Sequence, residues 1–348
     1  MILLREAQDR DVEALEKLAQ IPGMFNLPDD RDLLKERILK SKASFAGKVK
    51  TKSDSKYTFI AEDLTSKKIL ATSMIAGQHG TPESPHFYFE IGNEKKFSET
   101  INTGFIHGTL TLGMDTQGPS EIGALVVDPE TRNTEARVGR QISFVRFLYA
   151  ALYPEKFQSQ IIAELLPPLN KRGLSPLWEA VGRRFTNMDY WEADQLCAKN
   201  KDFIFDLFPS GKIYTTFLSA EARNSLGKVG KDTQPVMHML QKIGFKYKNQ
   251  VDPFDGGPHL WAQLNEIKPI QNSKKLIWKR TLPQDTKTDT QPGLMTRVAP
   301  SSSEFRAIHL EAQVSGQFLT TTQPEFASEI ESNLKISEGD SVLFMPYY

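Results

Sequence analysis

The sequence predicts an α+β fold: a mixed central sheet flanked by helices, followed by a small C-terminal β domain. Three observations carry this. Residues 57–75 read as a hairpin, with Tyr57 to Asp63 alternating in period two, a turn through 64–68, and a return through Ile69 to Ile75. A mostly apolar strand at 121–127 ends at Asp128-Pro129 and leads through an arginine-containing loop into a long helix at 142–153. Beyond residue 294 the chain offers strand-like pieces only.

The elements follow in order. Residues 2–5 read as a first strand, and Asp9 then caps a helix with Val12, Leu15, Leu18 and Ala19 on one face. After the break at Pro28-Asp29-Asp30, Leu33, Leu34, Ile38 and Leu39 form a second amphipathic face, and the polar stretch 44–56 reads as a loop. Further strands are expected at 86–92 and 107–113. Pro129 has no N–H to give a ladder, so pairing of 121–127 should stop there. The helix at 142–153 carries Phe144, Val145, Leu148 and Leu152 as its stripe, and 160–166 is the next strand. Ser175 then caps a helix with Pro176 at its first position. Pro235 opens another helix, Gly244 closes it, and 245–250 is a strand. Residues 271–293, rich in Lys, Thr, Gln, Asp and Pro, read as a linker. Strands at 304–310 and 316–321 and a hairpin over 334–344, turning at Gly339-Asp340, complete the chain. The expected domains are therefore 1–268, a linker over 269–293, and 294–348.

Composition narrows the class. The 348 residues are 39% hydrophobic and 25% charged, ordinary for a globular protein able to bury a large core. Forty-three basic residues balance forty-three acidic ones, which argues against a nucleic-acid binder relying on bulk positive field. The single cysteine, Cys197, excludes a disulfide framework and a Cys-rich zinc site, and reads as a buried thiol. No apolar run approaches the roughly 18–20 residues that span a bilayer, and the N-terminus lacks a signal-peptide core. The expectation is a soluble cytoplasmic protein with no membrane or nucleic-acid partner. No metal-ligand spacing is present, so no metal is expected.

The chemistry concentrates at 121–153. A strand runs through a loop into a helix, so free backbone N–H groups and the positive end of the helix dipole converge on one anion site. Arg132, Arg137 and Arg140 could add charge there, with Val138 and Gly139 beside them. Strand, loop, helix, strand, and later helix-Gly-Phe-strand at 235–250, is the order of the GNAT acyl-CoA N-acyltransferases. Any αβ connection with a polar helix start shares part of that pattern.

Longer motifs sharpen the reading. They are Ser175-Pro-Leu-Trp-Glu-Ala-Val-Gly-Arg-Arg-Phe185, Met188-Asp189-Tyr190, Ala193-Asp194, Asp252-Pro-Phe-Asp-Gly-Gly-Pro258, Ala163-Glu164, Asp115-x-x-Gly118, and Glu121 with Leu125. Through them the chain resembles the arginine N-succinyltransferase family over roughly 4–265. The resemblance implies a GNAT-like domain with a small C-terminal β domain. It also implies transfer of a succinyl group from succinyl-CoA to the α-amino group of L-arginine, in arginine catabolism, by a homodimer or a chain paired with a related subunit. The chain departs from the family pattern at named places. Gly230 stands where the family carries its proposed proton-donor histidine, Lys96 where it carries another histidine, and Leu166 where it carries an arginine. The segment between Asp128 and Arg146 is about two residues longer, with Gly139 its one remaining glycine.

In the implied chemistry the thioester lies along 121–127, and a backbone N–H near Leu125, Val126 or Val127 polarises its carbonyl. Glu121 and Glu164 could hold the substrate ammonium or relay a proton, or be exposed strand-end carboxylates. Tyr190 could protonate the leaving thiolate or simply pack beside Trp191. Asp252 and Asp255 could bind a guanidinium in bidentate fashion or serve the turn. Lys96 could answer the succinyl carboxylate or be a solvated lysine beside Lys95. The alternatives to arginine succinylation are the same fold with another acyl chain or amine, and a non-catalytic paralogue that binds CoA or arginine.

Overall fold

The structure, a computed structural model, describes residues 1–21, 27–132, 135–197, 202–282, 288–300 and 304–347. In chain order its first elements are β1 (Ile2–Glu6), α1 (Val12–Ala19), α2 (Arg31–Phe45), β2 (Lys56–Asp63), β3 (Ile69–Ala76), β4 (His86–Ser98), β5 (Thr103–Asp115), β6 (Ser120–Val127) and α3 (Val138–Leu152). Then come β7 (Gln160–Glu164), α4 (Pro176–Ala180), α5 (Gly182–Thr186), α6 (Tyr190–Cys197), α7 (Asp202–Leu207), β8 (Ile213–Tyr214), α8 (Ala220–Ser225), α9 (Gln234–Lys242), β9 (Lys246–Val251) and β10 (Pro258–Gln263). The last are α10 (Lys268–Gln271), β11 (Lys274–Trp278), β12 (Asp289–Arg297), β13 (Arg306–Ser315), β14 (Phe318–Thr321), α11 (Ala327–Leu334) and β15 (Ser341–Pro346). Contacts divide the chain into two interleaved units, 1–77 with 120–159 and 263–348, and 78–119 with 160–262. This differs from the serial division into 1–268, 269–293 and 294–348.

In the first unit the strands run β13–β1–β2–β3–β6, all antiparallel. The β2–β3 hairpin falls where its alternation predicts. Asp9 caps no α-helix: it begins a 3-10 turn, and the Asp11 carboxylate accepts from Gln8 N at 2.8 Å. Arg5, 2% exposed, holds Asp11 at 2.7 Å and Glu62 at 2.6 Å. α3 lies against this sheet, tied by Ser73 Oγ donating to Ile142 O at 2.7 Å. Phe45, Tyr57, Phe59, Tyr149 and Phe305 pack edge to face around it, the offset geometry that aromatic quadrupoles favour.

The C-terminal β region closes into a five-stranded barrel, β12–β15–β11–β14–β13 and back to β12. Trp278, Met295, Leu319, Leu334 and Phe344 fill its core. Two expectations are corrected here. The linker over 271–293 contains barrel strand β11 and the start of β12, while 283–287 lie outside the described residues. The hairpin over 334–344 is instead the end of α11, a turn and β15. Alternating burial in 274–278 is confined to a few residues flanked by lysines, which resembles a polar connector in one dimension.

In the second unit the strands run β7–β10–β9–β4–β5–β8. β4 and β5 form a thirteen-pair hairpin, far longer than the strands expected at 86–92 and 107–113. Trp178 and Phe254 stack at 4.7 Å with ring planes 7° apart, so two of the sequence motifs meet in this unit's core. Cys197 is partly exposed at the end of α6, not buried.

Candidate active site

The strand β6 is not regular. Thr72 pairs with Val126 but Met74 pairs with Gly123, so Ala124 and Leu125 together oppose Ser73. Ala124 sits at φ +49°, the left-handed region that a non-glycine residue rarely occupies. A bulge of this kind leaves one residue outside the ladder and bends the strand. It therefore distorts the β3–β6 ladder at the position expected for the thioester, beside Leu125, Val126 and Val127.

Strand β6 ends at Asp128, whose carboxylate accepts from Glu130 N at 3.0 Å and pairs with Lys68 at 2.9 Å. The loop then passes Arg132, while 133 and 134 lie outside the described residues. α3 starts four residues earlier than expected, at Val138. Arg137 precedes it at φ +45°, no side chain caps the helix, and its first turn holds no acid. The first N–H groups of α3, at Val138 and Gly139, belong to this uncapped start, which suits an anion. Gly139 is not sterically required, since an added Cβ would meet Val127 at an ordinary 3.6 Å. Arg140 lies 4.2 Å over the Tyr347 ring, so its guanidinium packs on an aromatic face. Glu121, on the same strand as the bulge, interacts with the charge of Arg37 from α2, which favours an ion-pair role.

The second unit holds the carboxylates. Asp252 Oδ1 accepts from Phe254 N at 2.7 Å and Asp255 N at 3.1 Å, and Asp255 Oδ1 accepts from Gly257 N at 2.7 Å. Ser175, which caps α4, also donates to the carbonyls of Phe254 and Asp255 at 3.2 Å. Gly257 permits the turn: a Cβ there would lie 2.1 Å from Leu165 O. Burial, and then repulsion from Asp252 and Glu164, push the Asp255 carboxyl well above its usual range. Tyr190, 4% exposed at the start of α6, is pushed up by burial and by Asp255. A phenol held protonated this way is a hydrogen-bond donor and a poor acid toward a thiolate. Lys96 lies on the β4–β5 hairpin and pairs with Glu94 at 2.6 Å. Lys96 and Tyr214 hold Glu94 well below the usual carboxylate range.

Glu164, at the end of β7, is the centre of a group absent from the sequence reading. His86 Nδ1 stands 3.4 Å from Glu164 Oε1, and His79 Nε2 and His259 Nε2 each 3.8 Å from it. His86 and His259 are buried, at 1% and 0% exposure. The rings contact one another, His79 to His86 at 4.8 Å and His86 to His259 at 5.2 Å between centroids. Three of the chain's six histidines thus gather on one carboxylate. No local spacing announces them, because they come from a loop, the first residue of β4 and the second of β10. Gly230 N donates to Leu166 O at 3.0 Å, so position 230 lies just beyond β7, the strand of Glu164. Among the described residues, two sets offer donor atoms for a metal ion: His79, His86 and Glu164, and Glu164, Asp252 and His259.

Comparison with known proteins gives a consistent result. The sequence profile of the family described as "Arginine N-succinyltransferase beta subunit" matches residues 2–269. The chain is 34% identical over 279 residues to "Arginine N-succinyltransferase" of Citrobacter koseri, covering 79% of this chain and 80% of that one. It is 34% identical over 277 residues to the protein of the same name from Escherichia coli, covering 79% of each. Its structure is similar, with a TM-score of 0.82 and 27% identity over 100% of this chain and 99% of the other, to arginine/ornithine succinyltransferase subunit AI from Pseudomonas aeruginosa.

Proposed function

Because the chain belongs to the arginine N-succinyltransferase family, we propose that it transfers the succinyl group of succinyl-CoA to the α-amino group of L-arginine, in arginine catabolism. The observation that carries the reading is the family match over 2–269, which includes the bulged strand β6 and the uncapped start of α3.

The acyl-CoA lies against β6 and α3. A backbone N–H at the bulge, beside Leu125 and Val126, donates to the thioester oxygen as charge develops on it. The first N–H groups of α3, with Arg132, Arg137 and Arg140 nearby, take the pyrophosphate. Asp252 and Asp255 hold the cationic acceptor, a role that carboxylates fixed by backbone N–H donors suit. The acceptor nitrogen attacks the thioester carbon, the C–S bond breaks, and the amine proton leaves to solvent. A peptide's α-amino group has a pKa of about 7.7–8.0, and the adjacent carboxylate of free arginine raises its amine above that range, so only a small minority of it is neutral at pH 7. A thiol pKa of about 8.5 lets the thiolate leave without a strong acid, so no proton from Tyr190 is needed. Glu121, acting on the charge of Arg37, steadies β6.

The enzyme is proposed to work as a homodimer or with a related subunit. Phe97, Ile101, Phe105 and Ile106, each at least 59% exposed near the tip of the β4–β5 hairpin, support a protein partner. No helix among the described residues is long and apolar enough to cross a membrane. A CoA thioester as co-substrate supports a cytoplasmic site of action.

The test is thiol release from succinyl-CoA with and without L-arginine, with the product weighed by mass spectrometry. Arginine-dependent release with N-succinylarginine formed bears the proposal out. Release only with another amine or acyl-CoA replaces the substrate assignment. CoA binding without turnover of any pair sinks the enzymatic reading.

A further inference from the structure

We propose that His79, His86 and Glu164 form a binding site for one divalent transition-metal ion of the zinc class. The donor geometry carries the assignment. Glu164 Oε1 stands 3.4 Å from His86 Nδ1 and 3.8 Å from His79 Nε2. An N–H···O hydrogen bond prefers about 2.7–3.2 Å. Two ligands on a tetrahedral zinc, with arms of about 2.0–2.2 Å, stand about 3.3–3.6 Å apart. The observed spacings lie nearer the second figure, and the three donors all lie within 4.8 Å of one another.

The donors are also held in place before any ion arrives. His79 N donates to Pro119 O at 2.6 Å, and the absence of a side chain on Gly118 lets this backbone approach, since a Cβ there would lie 2.0 Å from His79 O. His86 is 1% exposed and paired in register with Asp115. Beyond Glu164, Leu165 N donates to Pro258 O at 3.2 Å, fixing the end of β7. Side chains fixed in this way give up little conformational freedom on binding an ion.

The donor set selects the ion. Two imidazole nitrogens with one carboxylate suit zinc, cobalt, nickel or iron, whereas magnesium and calcium take all-oxygen shells. The surroundings favour a dication, because Asp252 offers a further carboxylate oxygen that lies with Glu164 and His259 within 4.8 Å of one another. His79 and Glu164 keep 21% and 28% side-chain exposure, so the group faces solvent on one side. Three protein ligands leave a position for water there. His259 Nε2 also stands 3.8 Å from the same Glu164 oxygen.

The assignment does not depend on acyl transfer and is tested without it. Tag-free full-length protein, stripped with chelator and dialysed, is titrated with ZnCl2 by calorimetry. One site per chain is expected, with Kd of about 1 µM or tighter. His86→Gln and Glu164→Gln should each weaken it by more than the roughly 10–100-fold that loss of an outer partner costs. His79→Gln, a partly exposed position, keeps the test decisive if His86→Gln does not fold, and His238→Gln, at an exposed position outside the group, should bind as the parent does. Co2+ in the same site should give the strong visible absorption of a tetrahedral complex. Absence of zinc binding by the parent overturns the proposal. So does zinc binding that His79→Gln, His86→Gln and Glu164→Gln all leave intact, or equal binding of Mg2+ or Ca2+.

Discussion

Gly257→Ala tests whether the Asp252–Gly257 turn positions the acceptor carboxylates. The added Cβ would lie 2.1 Å from Leu165 O, where real contacts stay above about 3.0 Å, so the turn must retreat by about 0.9 Å. Leu165 cannot yield freely, because its N–H is bonded to Pro258 O. The retreat pulls on two hydrogen bonds, Gly257 N to Asp255 Oδ1 at 2.7 Å and Asp252 N to Gly257 O at 2.9 Å. Burial raises the Asp255 carboxyl, so both bonds are taken at the neutral figure of about 0.5–1.5 kcal/mol each, and the variant should lose about 1–3 kcal/mol of stability. The displaced Asp255 should also lower kcat/KM for arginine by about 10²-fold, the scale of a misplacement near 1 Å. Denaturant unfolding and steady-state thiol release read the two effects. Gly211→Ala is the control: nothing lies within 4 Å of an added Cβ there, and stability should hold or rise slightly. A Gly257→Ala protein with parental stability and parental KM for arginine would refute the reasoning. Lost stability with unchanged KM would confine the turn to a structural role.

Leu125→Pro removes the N–H proposed to polarise the thioester, at a bulge where proline is tolerated in a sheet. Turnover should fall about 10²–10³-fold in a folded protein, and unchanged thiol release would remove Leu125 from the site. Glu6→Gln tests a pH effect. Burial and then Glu304 raise the Glu6 carboxyl to about 7. The folded form therefore holds this proton more tightly than the unfolded chain, and stability is lost as pH rises from about 4.5 through 7. The variant should be more stable than the parent at pH 8 by about 1–3 kcal/mol and nearly equal at pH 4, and parallel pH–stability curves would contradict this. Arg5→Met leaves Asp11 and Glu62 buried without their bidentate and charge-assisted partner, and should cost about 3–5 kcal/mol by urea unfolding. A loss below about 1 kcal/mol would mean that Arg10 or water replaces the guanidinium.

Local patterns were legible in the sequence where one short stretch carries the whole signal. The alternation of 57–75 gives the β2–β3 hairpin, and Ser175-Pro176 gives the start of α4. The two motifs at 175–185 and 252–258 pointed to one family, and the structure supplies the physical reason for their pairing in the Trp178–Phe254 stack and the Ser175 bonds. What stayed hidden depends on distant partners or unusual backbone. The bulge at Ala124 is invisible because alanine does not announce positive φ. The early start of α3 escaped because Arg137 is no capping residue. Strand β11 reads as linker in the sequence because its ladder partners lie on β14 and β15. His79, His86 and His259 meet only after β4, β7 and β10 are assembled, so no spacing rule could have joined them.

The pairing of β1 with β13 has a consequence for how the protein is made. Leu3 and Leu4 lie opposite Ile308 and Ala307, so β1 waits during synthesis for a strand far later in the chain. Loop closure over such a span costs only slowly more with length, yet contacts this distant in sequence slow the search for the native pairing. Until Arg306–Ser315 emerges, one edge of β1 stands open beside the completed β2–β3 hairpin, a template for the wrong strand. Unit two, drawn entirely from residues 78–262, has all its parts available earlier. Nascent chains should therefore depend on chaperones most in the interval between synthesis of the middle of the protein and release of its barrel.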